Sequence, residues 1–144
     1  MKKQIVSLLA TFVVLAASVV ATRAQSANRP TFVVNIPFEF SIGRQKTLPA
    51  GEYIVERMQS QVRLISKRDG RAYLTTLTIQ IQTQATQDRS HLVFNRYGDQ
   101  YFLAQVWNSA TNVGMELHKS HQERASELAT NRTERETVTL IARR

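Results

Sequence analysis

The spacing of hydrophobic residues changes along this chain. A mostly apolar run comes first, then a long stretch of period two, one short stretch near the helical period, and period two again at the end. Over residues 31–42 the period is two: Phe32, Val34, Ile36, Phe38, Phe40 and Ile42 share one side. Asn35, Glu39 and Ser41 take the other, with Val33 the exception. This predicts one strand or two collinear strands. Pro37 has no amide to give a ladder, so it marks an edge, a bulge or the join. Residues 43–46 read as a turn, and residues 48–51 (LPAG) place Pro and Gly at the second and fourth places of a type I turn.

Residues 52–58 and 61–67 read as a hairpin. Asp69-Gly70 follows, a pair that tolerates the positive φ of a type I′ turn. Over residues 72–84, Leu77, Ile79 and Ile81 alternate with Thr78, Gln80 and Gln82, which predicts one buried face and one wet face. After a turn at residues 87–89, residues 90–96 and 100–107 form a second hairpin around Tyr97-Gly98-Asp99. Tyr101, Phe102, Leu103, Val106 and Trp107 put apolar groups on both faces, as a central strand does. Residues 108–114 read as a loop.

Over residues 116–130 the period lengthens. Leu117, His121, Ala125 and Leu128 fall on one stripe, with Lys119, Glu123, Arg124 and Glu127 outside it and Lys119 placed to pair with Glu123. This predicts an amphipathic helix. Residues 137–142 return to β-branched types and predict a last strand. The expected fold is mainly β, a sandwich or small barrel of about seven to eight antiparallel strands with one helix near the C-terminus. Few strands reach the roughly 9–11 residues of an outer-membrane barrel strand.

The opening run has a different meaning. Met1-Lys2-Lys3 is cationic, residues 5–21 are apolar apart from Ser7, Thr11 and Ser18, and Thr22-Arg23-Ala24 offers small residues at −3 and −1 of a cut before Gln25. That is the layout of a secretory signal peptide over residues 1–24. The run is about 17 residues, the short end of what spans a bilayer. The expected location is periplasmic or extracellular, with residues 25–144 forming a single β-rich domain.

Loss of Lys2, Lys3 and Arg23 lowers the formal charge from +8 to +5. Such a surface favours anionic partners such as lipopolysaccharide or cell-wall polymer, with no specific nucleic acid implied, and is also ordinary for solubility. The chain has no cysteine, hence no disulfide, no thiol nucleophile and no thiolate ligand.

Within that charge one window stands out. Arg57, Arg63, Lys67, Arg68 and Arg71 lie within fifteen residues, opposed there only by Asp69. At a hairpin tip, Lys67, Arg68 and Arg71 suit phosphate or carboxylate groups. A charged tip also deters edge pairing.

Other chemistry is thinner. His118 and His121 are three apart, the spacing of a two-ligand metal site on a helix, but His91 is the only further histidine. Glu52 and Glu56 point the same way on a strand, with Glu39 elsewhere. Asp69, Asp88 and Asp99 sit in turns, where Asp serves the backbone. No Gly-x-Ser-x-Gly turn or phosphate-cradling glycine loop is present. Tyr97, Tyr101 and Trp107 surround one hairpin and allow a sugar-stacking platform, although aromatics in β-domains are more often core.

Residues 34–43 (VNIPFEFSIG), 48–53 (LPAGEY) and 96–107 (RYGDQYFLAQVW), with the charged segment after Glu116-Leu117, resemble a family of small exported proteins found in Acidobacteria and related soil bacteria. That family's pattern carries Pro and Arg where this chain has His118 and His121, a departure that weighs against a metal site there. The resemblance carries no catalytic residue. The expected function is a non-enzymatic envelope or extracellular binding or structural module without cofactor. A small-ligand carrier barrel is the alternative, and an unrecognised hydrolase a further one. A large internal cavity would favour the carrier, converging carboxylates in a groove the hydrolase, and a filled core with a basic tip the binding module.

The leader makes a direct prediction. The precursor is cut after Ala24, and N-terminal sequencing of the protein outside the cytoplasm begins at Gln25. An intact Met1 in the membrane fraction overturns it.

Overall fold

A computed structural model describes residues 31–43, 47–74, 78–130 and 135–143, and residues 1–24, where a leader is expected, lie outside them. The fold is a mainly antiparallel β-sandwich, not a closed barrel. Its strands are β1 (Thr31–Ile36), β2 (Phe40–Ser41), β3 (Thr47–Leu48), β4 (Gly51–Arg57), β5 (Val62–Ser66), β6 (Ala72–Leu74), β7 (Thr78–Gln82), β8 (His91–Tyr97), β9 (Gln100–Trp107), β10 (Val113–Leu117) and β11 (Arg135–Ile141). One helix, α1 (His121–Ala129), lies between β10 and β11. One sheet has the order β1-β4-β5-β6 and the other β11-β8-β9-β10-β7, with β2 and β3 attached beside β9. These eleven segments exceed the expected seven to eight because long alternating stretches change sheet midway.

The first such change is at Pro37. β1 belongs to the smaller sheet and β2 to the larger, so the proline marks the join where the chain crosses the sandwich. Phe32, Val34, Ile36, Phe40 and Ile42 are all buried in the inter-sheet core. Ser41 is buried too, against expectation, because β2 is flanked on both sides, by β3 and by β9 at Phe102. The corner at Pro49-Ala50 carries the chain back to the smaller sheet. The hydroxyl of Tyr53 donates to the Pro49 carbonyl at 2.6 Å and fastens that corner. Burial pushes the Tyr53 phenol up to about 12, so it keeps its proton as a donor.

β4 and β5 form the expected hairpin, with Val55 opposite Leu64 and Glu56 opposite Arg63. The next turn is not type I′. Gly70 has φ 68° and Asp69 has no positive φ. Ser66 O accepts from Gly70 N, and Ser66 N donates to Arg71 O, so residues 67–70 form a wider four-residue loop. The β8–β9 turn is the tight one, with Tyr97 opposite Gln100 and Gly98 at φ 59°.

β9 is central in the larger sheet, as expected. Its register with β8 slips at Ala104: Gln105 pairs with Val93, but Leu103 pairs with Phe94. This bulge switches side-chain parity along the strand. Leu103 and Val106 therefore join the inter-sheet core, whereas Phe102 and Trp107 are buried on the opposite, outer face.

Three expectations fail toward the C-terminal half. First, β10 occupies residues read as loop and helix start. Gly114 weakens the strand signal there, but it faces Trp107 across the ladder. A Cβ at Gly114 would lie 2.6 Å from the indole, so only glycine lets the ring lie flat over β10.

Second, β7 does not bury its isoleucines. Thr78, Gln80 and Gln82 sit opposite Leu117, Met115 and Val113, on the core side. Ile79 and Ile81 sit opposite Glu116 and Gly114, on the outer side. Ile79 is 50% exposed, and the Thr78 hydroxyl is buried without a hydrogen bond among the described residues. Leu77 falls outside those residues.

Third, α1 is capped by Ser120, whose hydroxyl accepts from Glu123 N at 3.1 Å, and it is turned over relative to the expected stripe. His121, Ala125 and Leu128 are exposed, Leu128 at 88%, while Glu123 is buried and accepts from Asn95 Nδ2 at 2.8 Å. The helix seats on the outer face of the larger sheet through polar contacts: Glu123 to Asn95 and Ser126 to Gln100. Lys119 pairs with Glu127 at 2.7 Å, not with Glu123.

The Trp107–Gly114 contact is testable. Gly114→Ala forces the indole to move within a packed face and is expected to cost about 1–3 kcal/mol. Denaturant unfolding checks this, with a shift in tryptophan emission of the folded state. A loss below about 0.5 kcal/mol, the scale of surface substitutions, would show the packing is misread.

Candidate functional site: the basic hairpin

The structure does not bring the five cations together. Arg57 ends β4 and reaches between the sheets, where its Nη1 donates to Val113 O at 3.0 Å. Arg63 lies on the outer face of the smaller sheet and donates through Nε to Glu56 at 2.8 Å. Lys67, Arg68 and Arg71 lie at the other end of β5, in and beside the 67–70 loop. Four residues of strand separate Arg63 from Lys67, about 13 Å. That exceeds the roughly 8 Å Debye length at physiological ionic strength, so the two groups act separately.

The tip is built around two carboxylates. Glu52, at the start of β4, accepts from Lys67 Nζ at 3.1 Å and from Arg143 Nη1 at 2.8 Å. Asp69 accepts from Arg71 N at 3.2 Å, and Arg71 Nε is 3.5 Å from its other oxygen. Arg68 is exposed and has no side-chain partner among the described residues.

The sequence window omitted two things. Glu56 and Glu52 on β4 lie across from Arg63 and Lys67 and halve the apparent excess. Arg143, 91 residues from Glu52, adds a cation. Arg143 reaches the tip because its backbone N–H bonds to Val33 O on β1, alongside Ala142 N to Ser90 O. This tail also stitches the two sheets together along one side.

The charges set the tip's titration. The Lys67 ammonium, first by hydrogen bond and then by charge, and Arg143 more weakly, hold the Glu52 carboxyl below its usual range. A hydrogen bond from Ser66 and the Arg71 backbone N–H, with the Arg71 charge behind them, do the same for Asp69. All these pairs face solvent, so they exchange easily and contribute little to folding. Chemically, the tip offers guanidinium forks that suit the oxygens of phosphate or carboxylate.

The remaining candidates scatter. His118 and His121 are exposed, and His91 stacks against Trp107 with ring centres 6.1 Å apart. No group of three His, Cys, Asp or Glu converges among the described residues. Tyr97 and Trp107 are buried, and Tyr101 stacks on Phe38 at 3.8 Å, so these rings are packing and not an open platform. A polar cleft of about 200 Å³ lies beside β2, the start of β9 and α1. Glu39, Asp99, Ser41 and Gln122 line it, and its lining includes no histidine to serve Ser41 as a base. Glu39 and Asp99 are both exposed. The core between the sheets is filled by large side chains of zero to 9% exposure.

The Glu52 bridge predicts a titration. Its lowered carboxyl pKa means the pairing contribution is present above the ordinary carboxylate range and is lost as pH falls through the depressed value. Carboxyl NMR of the folded protein is expected to place the Glu52 midpoint below that of an isolated glutamate. Lys67→Ser moves it back upward. An unmoved midpoint overturns the bridge.

Comparison of the chain with protein-family models, with curated proteins and with solved structures finds no match.

Proposed function

We propose that the protein is an exported, non-enzymatic binding module whose β5–β6 tip, with Arg143, holds anionic groups of an envelope polymer. One observation carries this reading. Arg68, Arg71 and Arg143 stand exposed at one end of the sandwich, the Arg71 and Arg143 side chains at 75% and 69% exposure, together with Lys67 around only two carboxylates. Each existing ion pair is solvated, so an incoming phosphate or carboxylate replaces a weak contact and gains a two-pronged one. The overall positive charge draws such a polymer in. The leader-like N-terminus supplies the export half of the reading.

The test compares equal charge changes. Arg68→Ser/Arg71→Ser removes two tip charges, and Arg89→Ser/Arg124→Ser removes two exposed charges elsewhere. On lipopolysaccharide or heparin-like resin under a salt gradient, the tip double variant is expected to elute clearly earlier than the control. Melting temperatures stay unchanged, because exposed charges contribute little to folding. Equal elution of both variants shows that retention follows net charge and that the hairpin is not a site.

A further inference from the structure

We propose that the polar cleft beside β2, the β8–β9 turn and α1 binds one neutral sugar unit through its hydroxyls. None of Lys67, Arg68, Arg71 or Arg143 lines this cleft, so the inference does not rest on the binding reading above.

Strand parity builds the cleft. Phe40 packs into the inter-sheet core against Tyr53 and Phe94, so the next residue, Ser41, turns to the other side of β2. Thr47 stands opposite Ser41 on β3, and the two hydroxyls are 3.4 Å apart. β2 attaches to β9 at Phe102, and Gln100 lies two residues earlier on the same outer face. α1 docks on that face: Ser126 donates to the Gln100 side-chain carbonyl, and Gln122 lines the cleft from the helix. Glu39, just before β2, and Asp99, in the β8–β9 turn, line the same space.

The fold leaves these groups unused. The side chains of Glu39, Asp99 and Gln122 have no partner among the described residues. Glu52, Glu56, Glu127 and Glu136, by contrast, are each held by a cation. Ser41 is 6% exposed, yet its hydroxyl meets only Thr47, beyond the roughly 2.5–3.0 Å of a good O–H···O bond. A buried hydroxyl so weakly paired points to a partner from outside the chain.

The donor and acceptor set selects the ligand. Carboxylates only accept, whereas hydroxyls and side-chain amides both donate and accept. An anion would face Glu39 and Asp99. An ammonium only donates, and would leave the amide and hydroxyl donors unanswered. Neighbouring ring hydroxyls donate and accept at once, so they match the whole set. The volume of about 200 Å³ is below the roughly 300–1,000 Å³ of a pocket for a drug-sized ligand, which suits a single ring. Both carboxylates are exposed. The acid of a glycosidase needs surroundings that hold its proton, so the cleft is built to bind and not to cleave.

Amide NMR of protein expressed from the full-length sequence tests this, with glucose, galactose and mannose titrated separately and butylammonium as the cationic probe. At least one sugar is expected to give saturable shifts at Ser41, Thr47, Gln100 and Gln122. Asp99→Ala and Gln122→Ala each remove a hydrogen bond to the ligand and are expected to weaken binding by roughly tenfold. Neither side chain has a partner in the fold, so melting temperatures stay the same. Glu116→Ala, at an exposed carboxylate on β10 outside the cleft, and Arg68→Ser/Arg71→Ser leave sugar affinity unchanged. The proposal is overturned if none of the three sugars gives saturable shifts at these residues. It is equally overturned if sugar binding survives both cleft variants, or if butylammonium saturates the same amides at lower concentration than every sugar.

Discussion

The larger sheet depends on β9 burying both of its faces. A strand of regular alternation can put only every second residue into one core. The bulge at Ala104 lets Leu103 and Val106 enter the space between the sheets while Phe102 and Trp107 turn outward. Each of these large apolar groups contributes about 1.5–3 kcal/mol when removed from water, so neither face can be left open. The outer face is therefore covered: α1 docks there through Asn95 and Gln100, and Trp107 lies across Gly114 beside His91. The position of the helix and the glycine in β10 follow from that need.

Alternation is a local signal, and where one core face decided burial it was legible: Phe32, Val34, Ile36, Phe40 and Ile42 are buried as their spacing predicts. The run of apolar residues on both faces of β9 was legible too, although the bulge that divides them was not. What failed depended on distant partners. Gly114 reads as a loop residue until the Trp107 ring is placed over it. The stripe of Leu117, Ala125 and Leu128 reads as a helix face, but Leu117 belongs to β10 and the sheet surface offers α1 an amide, Asn95. Glu123 turns inward to meet it and Leu128 is left in water. β7 has a regular alternation, yet its register with β10 puts glutamine on the core side. Near the rim of the sandwich that costs little, since Gln80 and Gln82 remain exposed.

The basic window shows the same limit for charge. Counting along the chain, five cations face one acid. In space, strand pairing sets Glu56 beside Arg63 and Glu52 beside Lys67, and the inter-sheet gap takes Arg57. A count along sequence sees neither the cross-strand acids nor Arg143. The surviving excess is smaller and sits at one end only. There it is made mostly of arginine, whose fork is better suited than lysine to oxyanions.

The tip and the tail are parts of one arrangement. Arg143 reaches Glu52 because its backbone N–H bonds to Val33 O, and the same stretch bonds Ala142 N to Ser90 O. The Arg143–Val33 bond ties the larger sheet to the smaller beside β1, so the contact that closes the sandwich on that side also delivers a cation from the far end of the chain to the β5–β6 loop. The ion pairs there are exposed and screened by salt. Their placement is therefore set by the backbone that carries them and not by the strength of the pairs.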